Sequence, residues 1–157
     1  MTMVDIIPAR TIEDMQIARR LFVEYQNCLE FDLSFQGFEH ELNHLPGEYA
    51  PPAGCILFAK YKGNIRGCVA LRRLGCVTCE MKRLYVRSDY RRLGIGRCLA
   101  EAVINVAKEL GYSFMRLDFV SPRPAAQALY ESLGFKEIEP YESVPLYGAV
   151  FMELRLK

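Results

Sequence analysis

Apolar residues recur along the chain with two periods, and the order in which those periods alternate outlines a fold. From Thr11 onward Met15, Ala18, Phe22, Tyr25 and Leu29 return every three or four positions, and Thr11 followed by Asp14 resembles a capping box, which predicts an amphipathic helix starting there. A second short helix is predicted over Phe38 to Leu45, before Pro46-Gly47 and Tyr49-Ala50-Pro51-Pro52 interrupt any regular pattern; that stretch is expected to be irregular and surface-facing. Three strand-like runs follow, Cys55 to Tyr61, Ile65 to Leu74 and Cys76 to Val86, parted by Lys62-Gly63-Asn64 and by Gly75, and they read as an antiparallel meander.

The strongest helical signal comes next. Ile95, Cys98, Leu99, Ala102, Val103, Val106, Ala107 and Leu110 form an unbroken stripe that stops at Gly111. Phe114 to Val120 reads as a buried strand. Pro124 suits the first turn of a helix whose apolar face is Ala126, Leu129, Tyr130 and Leu133, closed by Gly134. Phe135 to Ile138 and Val150 to Leu156 supply two closing strands, with Pro140 and Pro145 in the loop between them, so the last third is βαβ-like. With no repeat or linker in 157 residues, one domain spanning 1–157 is expected.

Composition narrows the function. Apolar residues make up 51% and charged residues 25% of the chain, a globular profile. The formal charge is only +1, from 20 basic and 19 acidic residues, which argues against nucleic acid as a partner and confines any anion site to a local arrangement. No apolar run approaches a bilayer span and the N-terminus lacks signal-peptide regions, so no membrane partner and a cytoplasmic location are expected. Cys28, Cys55, Cys68 and Cys98 stand singly in apolar stretches and are expected as reduced core residues. Cys76 and Cys79 have CxxC spacing without a second pair to complete a zinc site. His40 and His44, four apart on a helix, could chelate with Glu41 or Glu48, but the expectation is surface histidines and no metal.

The chemistry concentrates where the strand Met81 to Val86 runs into Arg91-Arg92-Leu93-Gly94-Ile95-Gly96 and then into the strong helix. A helix N-terminus exposes unpaired N–H groups and a positive dipole end, glycines let the backbone approach an anion, and Arg91, Arg92 and Arg97 add charge. The loop lacks the Gly-Lys-Ser/Thr of a Walker loop, and Leu99 stands where GxGxxG needs its third glycine. Pyrophosphate cradle and plain turn with solvated arginines both remain open on this loop alone.

The order of elements together with EMKRLYV, RRLGIG and AQALYESLGF closely resembles the GNAT superfamily of acyl-CoA N-acyltransferases over nearly the whole chain. The resemblance implies a mixed α/β fold with a mostly antiparallel sheet of six or seven strands, splayed at Met81 to Val86 so that acetyl-CoA, the cosubstrate, threads between two strands. It implies that Arg91, Gly94 and Gly96, with Arg92, Leu93, Ile95 and Arg97, bind the CoA pyrophosphate, and that main-chain groups of Leu84, Tyr85 and Val86 bind pantetheine and polarise the acetyl carbonyl. The family pattern LYxxxGF is met by Leu129, Tyr130, Gly134 and Phe135, which makes Tyr130 the candidate acid for the departing thiolate; its alternative is a core aromatic. Many members carry an asparagine seven residues before that tyrosine, where this chain has Arg123.

A lysine-like amine with a pKa of about 10.4 needs a base, since neutrality at pH 7 costs it about 4–5 kcal/mol. Glu80 stands where some family members place that base, while other members use only a water chain, so the resemblance implies Glu80 or a relayed water; the alternative for Glu80 is a strand-face carboxylate paired with Lys82 or Arg72. Arg72 and Arg73 point to opposite faces, so at most one faces the site. The resemblance places the acceptor pocket on Phe31 to Tyr49 and Tyr141 to Tyr147. The expected function is transfer of acetyl from acetyl-CoA to a small-molecule or peptide amine by direct attack in a ternary complex; the rival is a non-catalytic acyl-CoA-binding module that contacts a protein partner. A homodimer is common among relatives and is expected here.

Overall fold

The computed structural model describes residues 3–29, 37–120, 123–142 and 148–157; parts of the expected acceptor pocket at 31–36 and 143–147 lie outside them. Chain order runs β1 (Val4–Pro8), α1 (Ile12–Cys28), α2 (Phe38–Asn43), β2 (Cys55–Tyr61), β3 (Asn64–Arg73), β4 (Thr78–Val86), α3 (Ile95–Glu109), β5 (Phe114–Val120), α4 (Pro124–Ser132), β6 (Lys136–Ile138) and β7 (Ala149–Arg155). The strands form a seven-stranded sheet in the order β1-β2-β3-β4-β5-β7-β6. Every neighbouring pair is antiparallel except β4 and β5. This is the mixed α/β, mostly antiparallel architecture expected from the sequence.

Local chemistry explains most boundaries. Thr11 caps α1 in a reciprocal capping box with Asp14, which satisfies two of the helix's first donors. Lys62 and Gly63, at φ 50° and 83°, make the two-residue turn with positive φ at both positions that matches the twist of the β2–β3 hairpin. Pro124 opens α4, and Gly134 follows it at φ 101°.

The helices cover both faces of the sheet. α3 and α4 pack on one face, burying Leu99, Val103 and Tyr130 against Leu57, Val69, Leu71, Met81, Met115 and Leu117. α1 and α2 pack on the other, where Leu21, Phe22 and Phe38 meet Phe58, Cys68, Ala70 and Tyr85. No helix among the described residues is long and apolar enough to cross a membrane.

Several expectations are corrected. β1 carries no sequence signal of its own: VDIIP is five residues long, half-buried and closed by proline, and it becomes a strand only by pairing with residues 57–61 of β2. Tyr49 lies in a 3₁₀ turn and is buried edge-on against Phe22, although the segment was expected to face solvent. Cys28 and Cys98 are exposed, and Cys55 is only partly buried, so of the four single cysteines Cys68 alone is a core residue. The buried stripe of α3 includes Ala100 and Ile104 and leaves Cys98 and Leu110 in solvent, because the helix lies across β2, β3 and β4 on one side only.

Gly67 is the tightest backbone contact beside the site. A Cβ there would meet the Tyr85 carbonyl oxygen at 2.5 Å and Leu99 Cδ1 at 3.2 Å. Gly67→Ala is therefore expected to destabilise the protein by about 1–3 kcal/mol through overpacking, lowering the thermal midpoint by roughly 2–10 °C in a melting scan.

Candidate active site

The site begins with a parallel pair of strands that separates. β4 and β5 are hydrogen-bonded through Thr78↔Phe114, Cys79↔Met115 and Glu80↔Arg116, and no further. Beyond Glu80, β4 stays with β3 as far as Val86, while β5 stays with β7 along its whole length to Val120. The edge of residues 81–86 that faces β5 is thereby released from the ladder, and those main-chain groups line a gap in the sheet.

A bulge shapes that edge. Between Cys68↔Tyr85 and Ala70↔Lys82 the register advances two residues on β3 and three on β4, with Arg83 in the left-handed region at φ 61°. Non-glycine residues adopt this conformation only under constraint. The constraint is visible: the buried Arg83 guanidinium donates to both Glu41 oxygens, Nε to Oε2 at 2.9 Å and Nη2 to Oε1 at 2.8 Å, and lies over the Phe38 ring. α2 thus fixes the bulge of β4.

The bulge also resets the alternation of faces. Tyr85 turns to the α1 side, where its hydroxyl donates to Glu24 Oε1 at 3.1 Å, and Glu24 in turn holds Arg87 through two bonds. Leu84 and Val86 pack toward α3. Tyr85 therefore offers the gap its main chain and not its ring.

At the mouth of the gap stands the N-terminus of α3. Its N-cap is Gly94 at φ 81°, and no side chain caps the helix. A Cβ at Gly94 would meet nothing within 4 Å, while one at Gly96 would rest 3.8 Å from Val86 Cγ2. The loop is thus an open, uncapped helix start, and its free donors suit a phosphate. The arginines divide their work. Arg91 Nε donates to the Val86 carbonyl at 2.9 Å and ties the loop to the end of β4. Arg92, at φ 66°, is exposed together with Leu93, whereas Ile95 is buried in the core. Arg97 is drawn toward α4, where Nη2 donates to Ser132 Oγ at 2.6 Å.

Tyr130 reaches the gap from α4. Its ring sits 5.8 Å from both Phe119 and Phe135. Burial pushes the phenol pKa up; Tyr25 from α1, Arg123 at the start of α4 and Asp118 of β5 also act on it. Its hydroxyl makes no hydrogen bond among the described residues. The phenol therefore stays protonated at neutral pH.

On the α1/α2 face of the gap lies a buried polar cluster centred on Glu80, which is wholly inaccessible to solvent. Arg72 Nε donates to Oε1 at 2.8 Å, the Tyr141 hydroxyl donates to Oε2 at 2.6 Å, and Lys82 Nζ is 3.8 Å from Oε1. Burial raises its pKa, but the Lys82 and Arg72 cations and the Tyr141 hydroxyl outweigh burial and hold the carboxyl below the usual range. Arg72 also reaches Glu48, while Arg73 points away over Tyr112, so only the first of the two arginines faces the site. One carboxylate oxygen each from Glu80, Asp118 and Glu142 lie within 4.8 Å of one another. Within this trio Glu80 is already balanced by Arg72 and bonded by Tyr141.

The other candidates fall outside the gap. His40 and His44 are exposed, stacked at 3.9 Å and joined by a His44 ring contact to the His40 carbonyl, and their prospective carboxylate partners Glu41 and Glu48 are committed to Arg83 and Arg72. Cys76 is exposed while Cys79 is buried, its thiol pushed up to about 12 by burial.

The acetyltransferase (GNAT) family model matches residues 16–135. The chain belongs to that family. An uncharacterized N-acetyltransferase of Schizosaccharomyces pombe is 39% identical and is covered over 90% of its length by 92% of this chain. Among solved structures, a GNAT-family acetyltransferase of Staphylococcus aureus superposes with a TM-score of 0.81 at 24% identity, covering 99% of this chain and all of that one. The structure of yncA from Salmonella typhimurium with its cofactor acetyl-CoA superposes with a TM-score of 0.72 at 19% identity, covering 98% of this chain and 94% of that one.

Sequence reasoning missed Arg83 and Asp118, and it placed Glu41 and Tyr141 within the segments expected for the acceptor pocket, without their partners. Each takes its role from a bulge or a long-range contact; Asp118, a single carboxylate inside FMRLDFV, was the one with a local signal. Glu41→Ala is expected to lower stability by about 3 kcal/mol, read as a reduced urea midpoint at unchanged slope, because it removes a carboxylate that makes two bonds to a buried guanidinium.

Proposed function

We propose that this member of the GNAT family is an N-acetyltransferase that binds acetyl-CoA across the gap between β4 and β5 and passes the acetyl group directly to a small-molecule or peptide amine. The observation that carries the reading is the divergence of the parallel pair after Glu80↔Arg116, with an uncapped helix start at its mouth. Free strand groups can pair with an extended amide-bearing chain, and the α3 donors can hold a pyrophosphate at the end of that chain. The residues present fit the cosubstrate: Arg91, Arg92, Leu93, Gly94, Ile95, Gly96 and Arg97 at the phosphates, and the main chain of Leu84, Tyr85 and Val86 along the pantetheine arm and at the carbonyl.

Each group then has a task. The β4 main chain, held in its bulge by Arg83 and Glu41, offers preorganised dipoles to the developing oxyanion. Tyr130, kept protonated by burial, gives its proton to the thiolate. Glu80 was expected as the base. Its two oxygens are engaged and its pKa is depressed, which supports a positioning role in which it holds Arg72, Lys82 and Tyr141 on the acceptor face. Arg123 lies close enough to act on the phenol where many relatives have asparagine. Cytoplasmic location and a homodimer belong to the same proposal; fractionation and sedimentation test them.

Calorimetric titration with acetyl-CoA, using CoA, ATP and NAD as controls, tests the loop directly. Saturable binding of acetyl-CoA and CoA but not of ATP or NAD is expected, and an Arg91→Glu, Gly94→Glu double variant is expected to lose it. Tyr130→Phe is expected to lower kcat by about 10²-fold or more with little change in the KM for acetyl-CoA, as for loss of a general acid; an unchanged kcat would return Tyr130 to the role of a core aromatic.

A further inference from the structure

We propose that Asp118 is the catalytic base, the group that takes the proton from the acceptor amine on the α1/α2 side of the gap. This rests on the N-acetyltransferase reading and supplies the base within it.

Position is the first argument. Along β5, Met115 and Leu117 bury into the α3 side of the sheet, while Arg116 and Asp118 face the other side, toward α1 and α2. Arg116 is the last residue of β5 paired to β4, and it is occupied by Glu153 through a bond of 2.8 Å. Asp118, two residues on, is the first side chain of β5 on the acceptor face after the strands part. It stands in the splay, whereas Glu80 stands at the last rung before it.

Availability is the second argument. Glu80 has one oxygen bonded to Arg72 and the other to Tyr141. Asp118 makes no hydrogen bond or ion pair among the described residues, although it is partly buried. A carboxylate taken from water and given no fixed donor has a free lone pair for an incoming ammonium.

The surroundings suit a base. Lys82, Arg83 and Glu80 from β4, Glu142 after β6, Tyr141 beside it, Tyr25 from α1 and Tyr130 from α4 all act electrostatically on Asp118 or are acted on by it. Burial and the acids Glu80 and Glu142 prevail over Lys82 and Arg83, pushing its pKa up to about 6. Such a carboxyl is ionised at neutral pH, yet closer to an amine's pKa than an ordinary aspartate by about two units. The Asp118 charge is felt at the Tyr130 phenol, which packs on the α3/α4 side of the sheet, so the proposed base and acid lie on opposite faces.

The step balances. An ammonium R–NH₃⁺ gives one proton to the Asp118 carboxylate, and the neutral nitrogen attacks the acetyl carbonyl, forming the C–N bond. The nitrogen then sheds a proton to water, the C–S bond breaks, and the thiolate takes the phenol proton of Tyr130, which solvent restores. Asp118 releases its proton once the amide leaves. The sum is thioester plus ammonium giving amide, free thiol and one proton.

The test is the pH profile of kcat/KM for the acceptor between pH 5 and 9, using the best amine from a panel of small amines, amino acids and peptide amino termini. In the wild type the profile should rise to an apparent pKa near 6 and then stay level up to the amine's own pKa. Asp118→Asn should lose at least 100-fold at pH 7 and lose the level region, its rate climbing tenfold per pH unit with the neutral amine, while its KM for acetyl-CoA stays within twofold. The folded-state pKa of Asp118 is raised, so its ionisation costs stability as pH rises past 4 toward 6; the Asn variant should melt above the wild type at pH 8 and converge with it near pH 4. A level region that survives in Asp118→Asn, or that vanishes instead in Glu80→Gln, overturns the proposal, as does a lower melting point of Asp118→Asn at pH 8. Acetyl-CoA binding without turnover of any amine in the panel overturns the N-acetyltransferase reading itself, and the base with it.

Discussion

Everything at this site depends on one geometric constraint: two parallel strands that share three rungs and then part. A continuous sheet offers a ligand only its faces, since its backbone donors and acceptors are consumed by the ladder. Parting β4 from β5 while each keeps its other neighbour exposes a row of main-chain groups inside the protein without creating an outer edge. The gap also interrupts the sheet between its two faces, with Tyr130 of α4 packed on one side and Tyr25 of α1 on the other.

The divergence is held by side chains far away in sequence. Arg83 takes a left-handed conformation inside a strand, where a β residue would ordinarily stay extended, and the return comes from two bonds to Glu41 and a face of Phe38, both on α2. Arg87 and Tyr85 repeat the device one turn later through Glu24 of α1. The two helices on this face therefore do more than cover the sheet: they clamp the strand whose main chain lines the gap.

The same cluster shows how environment divides tasks among chemically similar groups. Glu80 and Asp118 are both carboxylates on the same face of adjacent strands. Glu80 is surrounded by cations and a phenol and is held ionised and bonded; Asp118 is partly buried beside Glu80 and Glu142 and held nearer neutrality. Two such carboxyls pushed in opposite directions are the arrangement from which roles in proton chemistry follow. The family resemblance pointed to Glu80 because some members place a glutamate base at that point of the strand, and a resemblance has no means of counting the donors around it.

Periodicity alone determined α1, α3, α4 and the β2–β3–β4 meander, since each buries a face whose spacing is written locally, and RRLGIG marked the start of α3 because glycine and the onset of a helical stripe are local features. Tertiary structure decided what required partners. VDIIP became a strand through β2, Tyr49 was buried by Phe22, and Cys28 and Cys98 faced solvent although each adjoins a leucine. The bulge at Arg83, the length of the β4–β5 pairing and the contrast between Glu80 and Asp118 likewise came from contacts between residues tens of positions apart. Hydrophobic spacing records which way a residue faces along its own element; desolvation and ion pairing are sums over every element packed around it, and those sums exist only once the chain has folded.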